Sequence, residues 1–374
     1  MIFIIKLKYF SAFAFVFGLL SVFSMFSFKA KGNSEKNENV PFEFKLFSLV
    51  NKNNNFMISP ISVEMVFMML ANSNVTEDAK NEILNAWGVD NFEAYQKWAF
   101  DFLLRMKEKK IVDINNSVWL NTDSGIALDA FNGRPFDFFT ERFLVNRFNA
   151  KNNINSWISE KTKGKIQGID IDGDFSAVLL NATYFKKAWE SPFGKYRTHD
   201  ASFNNIDGSI TKTAFMSQDG DYNFYENEDF RMAEIPYEGK ESSMYVFVPK
   251  QGNIDSFDYK WLDEGIRNKS EAYITLSLPK FSVKTDLCLN KALKALGIES
   301  IFKPSSMYSG HSISDVLHKT YIDVNEEGTE ATAITAAIAK CCLAPSFVVN
   351  KPFVYVIREN TSGKILFMGS QCKF

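Results

Sequence analysis

Residues 321–345 read YIDVNEEGTEATAITAAIAKCCLAP, and this stretch narrows the choice of fold more than any other. A strand-like beginning runs into two glutamates and Gly328, after which small residues dominate. Alternate residues of a strand face opposite sides of a sheet. One parity, from Thr329 to Ala337, carries only small side chains, whereas the other carries a glutamate and an isoleucine. The pattern predicts a conditional strand that could slide between two existing strands over a filled core.

An exposed helix is the alternative for the same segment, because alanine and glutamate are good helix formers. The threonines, the isoleucine and the glycine within the run weaken that interpretation, and the parity split favours the strand. The two interpretations are compatible if the segment is a loop before it inserts.

Composition limits the classes of protein that this chain could be. It has 374 residues, 46% of them hydrophobic, which predicts one or two folded domains with a large core. The net charge of −2 argues against a nucleic-acid binder that relies on bulk charge. The basic cluster at residues 105–110 could touch a polyanion such as a glycosaminoglycan, although a solvated helix end is favoured.

The common motifs of catalytic and ligand sites are missing or broken. Residues 310–314 (GHSIS) begin like the nucleophile elbow of a serine hydrolase, but Ser314 stands where that sharp turn needs glycine. Residues 170–174 resemble the start of a calcium loop, but Phe175 replaces its essential glycine. Phosphate-binding glycine loops, HExxH and CxxC are absent from the sequence. We therefore expect no catalytic residue, no metal site and no cofactor.

The N-terminus predicts export. Lys6 and Lys8 precede an uncharged run over residues 9–28, and a polar stretch follows. Small residues favour cleavage after Gly32, so we predict a signal peptide at 1–32; an uncleaved membrane anchor is the alternative. The mixed helix and strand pattern of the rest, without a Pro- or Gly-rich linker, predicts a single α+β domain over 33–374. We expect a secreted, extracellular monomer without a membrane segment after signal removal.

Asparagine sequons and cysteines both bear on the predicted secretion. The chain has five Asn-x-Ser/Thr sequons, of which Asn181 lies in an apolar run and is expected to be buried. The remaining glycosylation candidates are Asn74, Asn115, Asn268 and Asn360. The four cysteines show no metal-ligand spacing and are expected as free thiols, while the state of the adjacent Cys341–Cys342 pair stays open.

Longer motifs identify a family. They read NFMISPISVEMVFMML (55–70), INSWISEKTKGKI (154–166), LLNATYFKKAWESPF (179–193), LHKTYIDVNEEGTEATAIT (317–335) and NKPFVYVIRENTSGKILFMG (350–369). With these motifs in this order, the chain resembles the serpins, the serine protease inhibitor superfamily, over nearly all of its length. The resemblance implies three β-sheets with eight or nine helices, and an exposed reactive-centre loop at about 326–347.

The resemblance also implies an inhibitory mechanism. A serine protease attacks the loop as a substrate, and the cut loop inserts into the main sheet while still carrying the acylated protease. The residues matching the hinge of inhibitory members are Glu326, Glu327, Gly328, Thr329, Glu330, Ala331, Thr332 and Ala333. A charge or a proline at the first inward positions would block insertion.

Two further groups of residues are implied by the same resemblance. Ser59, Ser62, Asn181 and His318 match a polar cluster under the sheet where its central strands part. Trp189, Lys280 and Glu326 match a site at the top of the sheet, where insertion starts. An ion pair between Lys280 and Glu326 is implied there.

The cleaved bond is less well determined. Counting from the hinge places it between Cys342 and Leu343, whereas counting back from residues 351–353 gives Cys341–Cys342, and a shift of two gives Lys340. A small apolar Cys342 favours an elastase-like or chymotrypsin-like target; Lys340 favours a trypsin-like one. A non-inhibitory carrier or chaperone, and a cross-class inhibitor of cysteine proteases, remain as alternatives.

Overall fold

The helices cover the sheets and lie mostly in the first half of the chain. The computed structural model describes residues 40–374, except 51–52, 127–139, 167, 172, 252–253, 305, 308–309 and 330–344. Within these ranges there are seven α-helices: α1 Phe42–Val50, α2 Pro60–Ala71, α3 Glu77–Trp87, α4 Phe92–Glu108, α5 Ala150–Lys161, α6 Tyr259–Asn268 and α7 Asn290–Ala295. The resemblance implied eight or nine for the whole chain.

Helix α2 forms the centre of the core. All of its residues are buried, and apart from Ser62 and Glu64 they are apolar. Ser59 occupies the N-cap position of the helix and Pro60 the first helical position. Ser62 therefore points into the protein from the first turn of the helix, where its hydroxyl contacts those of Ser59 and Thr183.

Strands make up most of the remaining chain. They are β1 Phe56–Ile58, β2 Asn116–Asn121, β3 Glu141–Val145, β4 Ala177–Tyr184, β5 Lys187–Ala188, β6 His199–Asn204, β7 Ile210–Glu226, β8 Phe230–Pro236, β9 Ser242–Pro249, β10 Ser270–Pro279, β11 Phe281–Cys288, β12 Ile313–Asn325, β13 Gly328–Thr329, β14 Ser346–Val348, β15 Phe353–Glu359 and β16 Ile365–Gln371.

The seven-stranded sheet is called the main sheet here. Its order is β3-β2-β4-β12-β13-β5, and β11 pairs with the other edge of β12. The long strands β4 and β12 are parallel neighbours that pair from Ile313–Ala177 to Tyr321–Tyr184. Every residue of β4 is buried, as predicted for a central strand that is apolar on both faces.

Each face of the main sheet is covered by a helix. Helix α2 packs under one face, with Leu179 of β4 in the principal core. On the other face, Trp157 and Ile158 of α5 join Val178 and Leu180 of β4 in a separate apolar cluster. The central strands are therefore held between two hydrophobic layers.

The nine-stranded sheet runs β1-β16-β15-β9-β8-β7-β10-β14, with β6 also paired to β7. Strand β7 is 17 residues long, and its first part pairs with β6 while its last part pairs with β8. Two of the three sheets implied by the resemblance are thus continuous through one strand. The predicted α+β fold is confirmed. Strands β15 and β16 form a C-terminal hairpin.

The described part of the chain contains no helix with the length and apolar character needed to cross a membrane. The predicted signal peptide at 1–32 lies outside the described residues.

Candidate functional site

The start of the predicted insertion segment is already a strand. Residues Gly328 and Thr329 form β13, which lies between the top of β12 and the short strand β5. Thr329 pairs antiparallel with Val324 on one side and with Lys187 on the other. Two residues of the segment are therefore seated in the main sheet, at the end of the seam between β4 and β12.

Gly328 fits a position that a larger residue would not. Its φ of 147° lies in a region that residues with a Cβ rarely adopt. A Cβ built there would lie 2.4 Å from the carbonyl oxygen of Lys187 and 2.6 Å from the Cα of Ala188. Because both of these atoms belong to the backbone, neither can turn aside for a side chain.

Thr329 is fully buried in an aromatic pocket. Its hydroxyl lies 3.1 Å from the hydroxyl of Tyr237. The Tyr237 ring stacks on Trp189 at 4.6 Å and meets Phe185 edge-on at 5.0 Å. Burial raises the pKa of Tyr237, because a phenolate would be desolvated there, so the hydroxyl keeps its proton.

The two glutamates before Gly328 are held by cations and a hydroxyl. Lys280 Nζ lies 2.9 Å from Glu326, which also accepts a hydrogen bond of 2.8 Å from the Thr198 hydroxyl. Burial raises the pKa of Glu326, but the bonds from Lys280 and Thr198 outweigh it, and the net pKa is lowered. Lys195 forms a more exposed pair of 2.7 Å with Glu327.

The backbone of the same turn is also fixed. The backbone amide of Phe193 donates to the carbonyl of Glu326 at 2.7 Å, and that of Trp189 donates to the carbonyl of Glu327 at 3.1 Å. The indole of Trp189 donates to the carbonyl of Asn325 at 3.0 Å. The structure thus brings Trp189, Lys280 and Glu326 together at the top of the main sheet; their role in insertion stays a prediction.

The second predicted group lies under the seam, and its four residues belong to one buried network. The Ser59 amide donates to His318 Nε2 at 2.9 Å, and the hydroxyls of Ser59 and Ser62 are 2.7 Å apart. Asn181 of β4 and His318 of β12 lie directly opposite each other in the strand pair. The network therefore spans the two strands that a new strand would have to separate.

Two residues that sequence reasoning missed complete this network. Thr183 donates to Asn181 at 3.1 Å and lies 3.2 Å from the Ser62 hydroxyl. Asn116 accepts from the Asn181 amide at 2.7 Å and is itself buried. Strand parity could have found Thr183, because it lies two residues after Asn181 and faces the same side. Asn116 gave a signal only as a polar residue within an apolar strand.

His318 is neutral in this setting. Its Nε2 accepts a hydrogen bond, so its proton is on Nδ1, for which the described residues offer no partner. Complete burial lowers the pKa of His318 to about 3.

We expect acid to destabilise the protein through His318. Its folded pKa lies below the unfolded value of about 6.5, so the unfolded chain binds the proton first, and stability falls as pH drops from about 6.5 towards 3. The full effect, reached below about pH 3, is on the order of 5 kcal/mol. Urea unfolding at pH 7, 5 and 4 should show a shallower pH dependence for His318→Gln than for the exposed-site control His199→Gln. Equal slopes in both variants would contradict this assignment.

Several predicted residues lie outside the described ranges. They are Glu330, Ala331, Thr332, Ala333, Lys340, Cys341, Cys342 and Leu343. The described cysteines, Cys288 and Cys372, are free thiols. Across the described ranges, no group of three or more His, Cys, Asp or Glu side chains could hold a metal ion.

The predicted sequons differ in accessibility. Asn181 is buried and its amide nitrogen donates hydrogen bonds, as expected for a sequon that carries no glycan. Asn74 and Asn268 are exposed. Asn115 is half-buried. The Asn360 amide donates to the carbonyl of Lys240 and to the Ser243 hydroxyl, and a glycan on that nitrogen would replace one of the two donated hydrogens.

The basic end of α4 is partly neutralised. Arg105 pairs with Glu359 at 3.4 Å, and Lys109 pairs with Glu241 at 2.7 Å. These pairs tie the helix end to the body of the protein and reduce the charge available to a polyanion.

Comparison with known proteins agrees with this geometry. The family profile described as serpin (serine protease inhibitor) matches residues 37–373. The leukocyte elastase inhibitor of Xenopus tropicalis is 29% identical over 366 residues, an alignment that covers 88% of this chain and 96% of that protein. Among solved structures, the thermophilic serpin tengpin in its native state has a TM-score of 0.77 at 25% identity, covering 92% of this chain and 97% of that one. Human thyroxine-binding globulin complexed with thyroxine has a TM-score of 0.80 at 24% identity, covering 90% and 97%.

Proposed function

Since the chain belongs to the serpin family, we propose that it is an inhibitor of serine proteases that acts as a suicide substrate. The observation that carries the proposal is the seating of Thr329, a small buried residue, between β12 and β5. Inhibition by strand insertion needs a segment whose inward side chains fit inside the sheet. The chain supplies the loop and the sheet, and the target protease supplies the catalytic groups.

The chemistry follows from an ordinary acyl transfer. The protease serine oxygen attacks the carbonyl of Cys342, the bond to Leu343 breaks, and the new amino group of Leu343 leaves with the proton delivered by the protease. An ester then links the protease to Cys342. Water would normally cleave this ester, and the proposed movement of the loop stops that step by distorting the protease.

The dimensions support such a movement. Fifteen residues lie between Thr329 and Pro345, and as a strand at about 3.3 Å per residue they span roughly 50 Å. The strands β4 and β12 are parallel to each other, and β13 runs antiparallel to β12. A segment that continues β13 down the seam would be antiparallel to both neighbours and gain ladder hydrogen bonds on two sides.

The proposal is tested by incubation with trypsin, chymotrypsin and elastase. We expect one of them to give a band at the summed mass on a denaturing gel, with mass spectrometry of the released C-terminal peptide starting at Leu343. A first residue of Cys342 or Cys341 would instead assign the cut to the alternatives. Cleavage by all three without any complex, and without a gain in thermal stability, would refute inhibition.

The same gel decides between the other candidates. A complex with a papain-type protease and with none of the serine proteases would indicate cross-class inhibition. A carrier function has the fold likeness to thyroxine-binding globulin in its favour, a likeness at 24% identity. A carrier needs no insertion, so cleavage would leave its melting temperature unchanged.

We further propose that the chain is secreted, on the strength of the basic and apolar start at residues 1–32. Expression of the full chain in a secretory eukaryotic cell should release a protein whose N-terminus is Asn33. The exposed Asn74 and Asn268 are the sequons that we expect to carry glycans there, detectable by a mass shift after glycosidase treatment. Retention of the intact chain in the cell would contradict secretion.

A further inference from the structure

Tyr237 contacts the insertion segment although it belongs to a different sheet region, just after β8. We infer that Tyr237 is a positioning residue that fixes the register in which the inserted strand begins, by receiving the hydroxyl of Thr329 in a pocket that fits no neighbouring residue of the segment. This inference rests on the proposed function and deepens it, because it names the residue that sets where insertion starts.

The Tyr237 side chain is fixed by the aromatic rings packed against it. The side chain is fully buried, stacked on Trp189 with an interplanar angle of 13° and edge-on to Phe185. An antiparallel backbone bridge also joins Trp189 and Tyr237. The hydroxyl of Tyr237 therefore has a fixed position, and its hydrogen-bond partner must lie within reach of it.

The position of Thr329, the hydrogen-bond partner of Tyr237, is equally restricted. Thr329 is fully buried and paired on both edges, with Val324 and with Lys187. Gly328 before it leaves no room for a side chain, since a Cβ would lie 2.4 Å from a carbonyl oxygen. No residue with a side chain can take the place of Gly328 without a backbone clash.

The segment could still shift along the strand direction relative to β12 and β5, and Tyr237 opposes such a change of register. Side chains alternate between faces, so a slip of one residue would bring Gly328 or Glu330 to the Tyr237 hydroxyl. Glycine would leave the buried hydroxyl without a partner, and glutamate would place a carboxylate among Trp189 and Phe185. Both outcomes are costly, since a buried polar group needs its hydrogen bond and a buried charge needs a counter-ion.

The test is a double-mutant cycle on the full chain: wild type, Tyr237→Phe, Thr329→Val and the double variant. Tyr355→Phe is the matched control, because Tyr355 is also fully buried and donates one hydrogen bond, to the carbonyl of Phe56 at 3.3 Å and not to the insertion segment. Thr329→Ser keeps the hydroxyl. The first readout is hydrogen exchange at the amides of Gly328 and Thr329 in the intact protein; the second is the fraction of protease trapped.

We expect each single variant to speed exchange at these two amides about three- to tenfold, the effect of losing one buried hydrogen bond. The double variant should add little to either single variant, and Thr329→Ser should resemble the wild type. Tyr355→Phe should leave the two amides unchanged even if it lowers the melting temperature. Additive effects in the double variant, or wild-type exchange in Tyr237→Phe, would overturn the inference.

The exchange measurement needs no protease, so it separates the two proposals. If the wild type traps no protease, the proposed function fails, whereas the exchange cycle still decides whether Tyr237 holds Thr329. If trapping occurs, Tyr237→Phe should lower the trapped fraction and raise the cleaved, untrapped fraction. Unchanged partitioning alongside faster exchange would overturn the register role.

Discussion

We expect the Thr329→Arg variant to be cleaved by the target protease without trapping it. Thr329 is fully buried between β12 and β5, and its hydroxyl contacts that of Tyr237. The described contacts of this pocket are aromatic and include no carboxylate that could pair with an arginine. Burying an unpaired guanidinium there costs several kcal/mol, so residue 329 would no longer lie in the sheet. Insertion would then be slower than hydrolysis of the acyl-enzyme, and the protease would be released. The complex band should fall at least tenfold.

Two controls make that result specific. Thr329→Ser keeps both the size and the hydroxyl, and should trap as the wild type does. Thr361→Arg adds the same charge in the exposed turn between β15 and β16, and should also trap normally. An arginine at 329 that still gave a full complex band would show that this residue need not enter the sheet.

The second large effect is expected from Asn181→Ala. The Asn181 side chain donates to Asn116 at 2.7 Å and accepts from Thr183 at 3.1 Å, all of them buried. Its removal leaves those partners unsatisfied and opens a small cavity, a loss of about 3 kcal/mol. Because Asn181 lies opposite His318 across the seam, we also expect β4 and β12 to separate more readily.

Urea unfolding followed by tryptophan fluorescence measures the first effect, and the rate of self-association at elevated temperature measures the second. Asn268→Ala is the matched control, since its amide makes one exposed bond of 3.0 Å to Glu264 and its loss should cost under about 0.5 kcal/mol. Equal unfolding midpoints for Asn181→Ala and Asn268→Ala would contradict a structural role for the buried network.

Strand parity was the basis for predicting the insertion segment, because the small residues recur with the period of two that a sheet imposes. The structure describes its first two residues, Gly328 and Thr329, as a strand, and insertion of the rest stays a prediction. The central position of β4 could be predicted for a similar reason, since its residues are apolar on both faces. Such signals are local in sequence.

Contacts between residues that are far apart in the sequence could not be predicted from such local patterns. Tyr237 lies 92 residues before Thr329, and a lone tyrosine at the end of a strand does not reveal its partner. The sharing of β7 between two sheet regions depends on the length of the folded strand, whereas the family resemblance implied three separate sheets. The Lys280–Glu326 pair was expected only because the family resemblance placed both residues at one site.

The position of the last strands determines how a cut in the loop would be seen in the laboratory. Strand β14 is paired to β10, and β15 and β16 lie inside the nine-stranded sheet with nearly every residue buried. The Arg231 guanidinium also donates to the carbonyls of Ser346 and Val348, at 3.4 Å each. The piece after a break between Thr329 and Pro345 would stay docked as a second chain. Gel filtration and light scattering would therefore report an intact protein, and the nick would become visible only after denaturation.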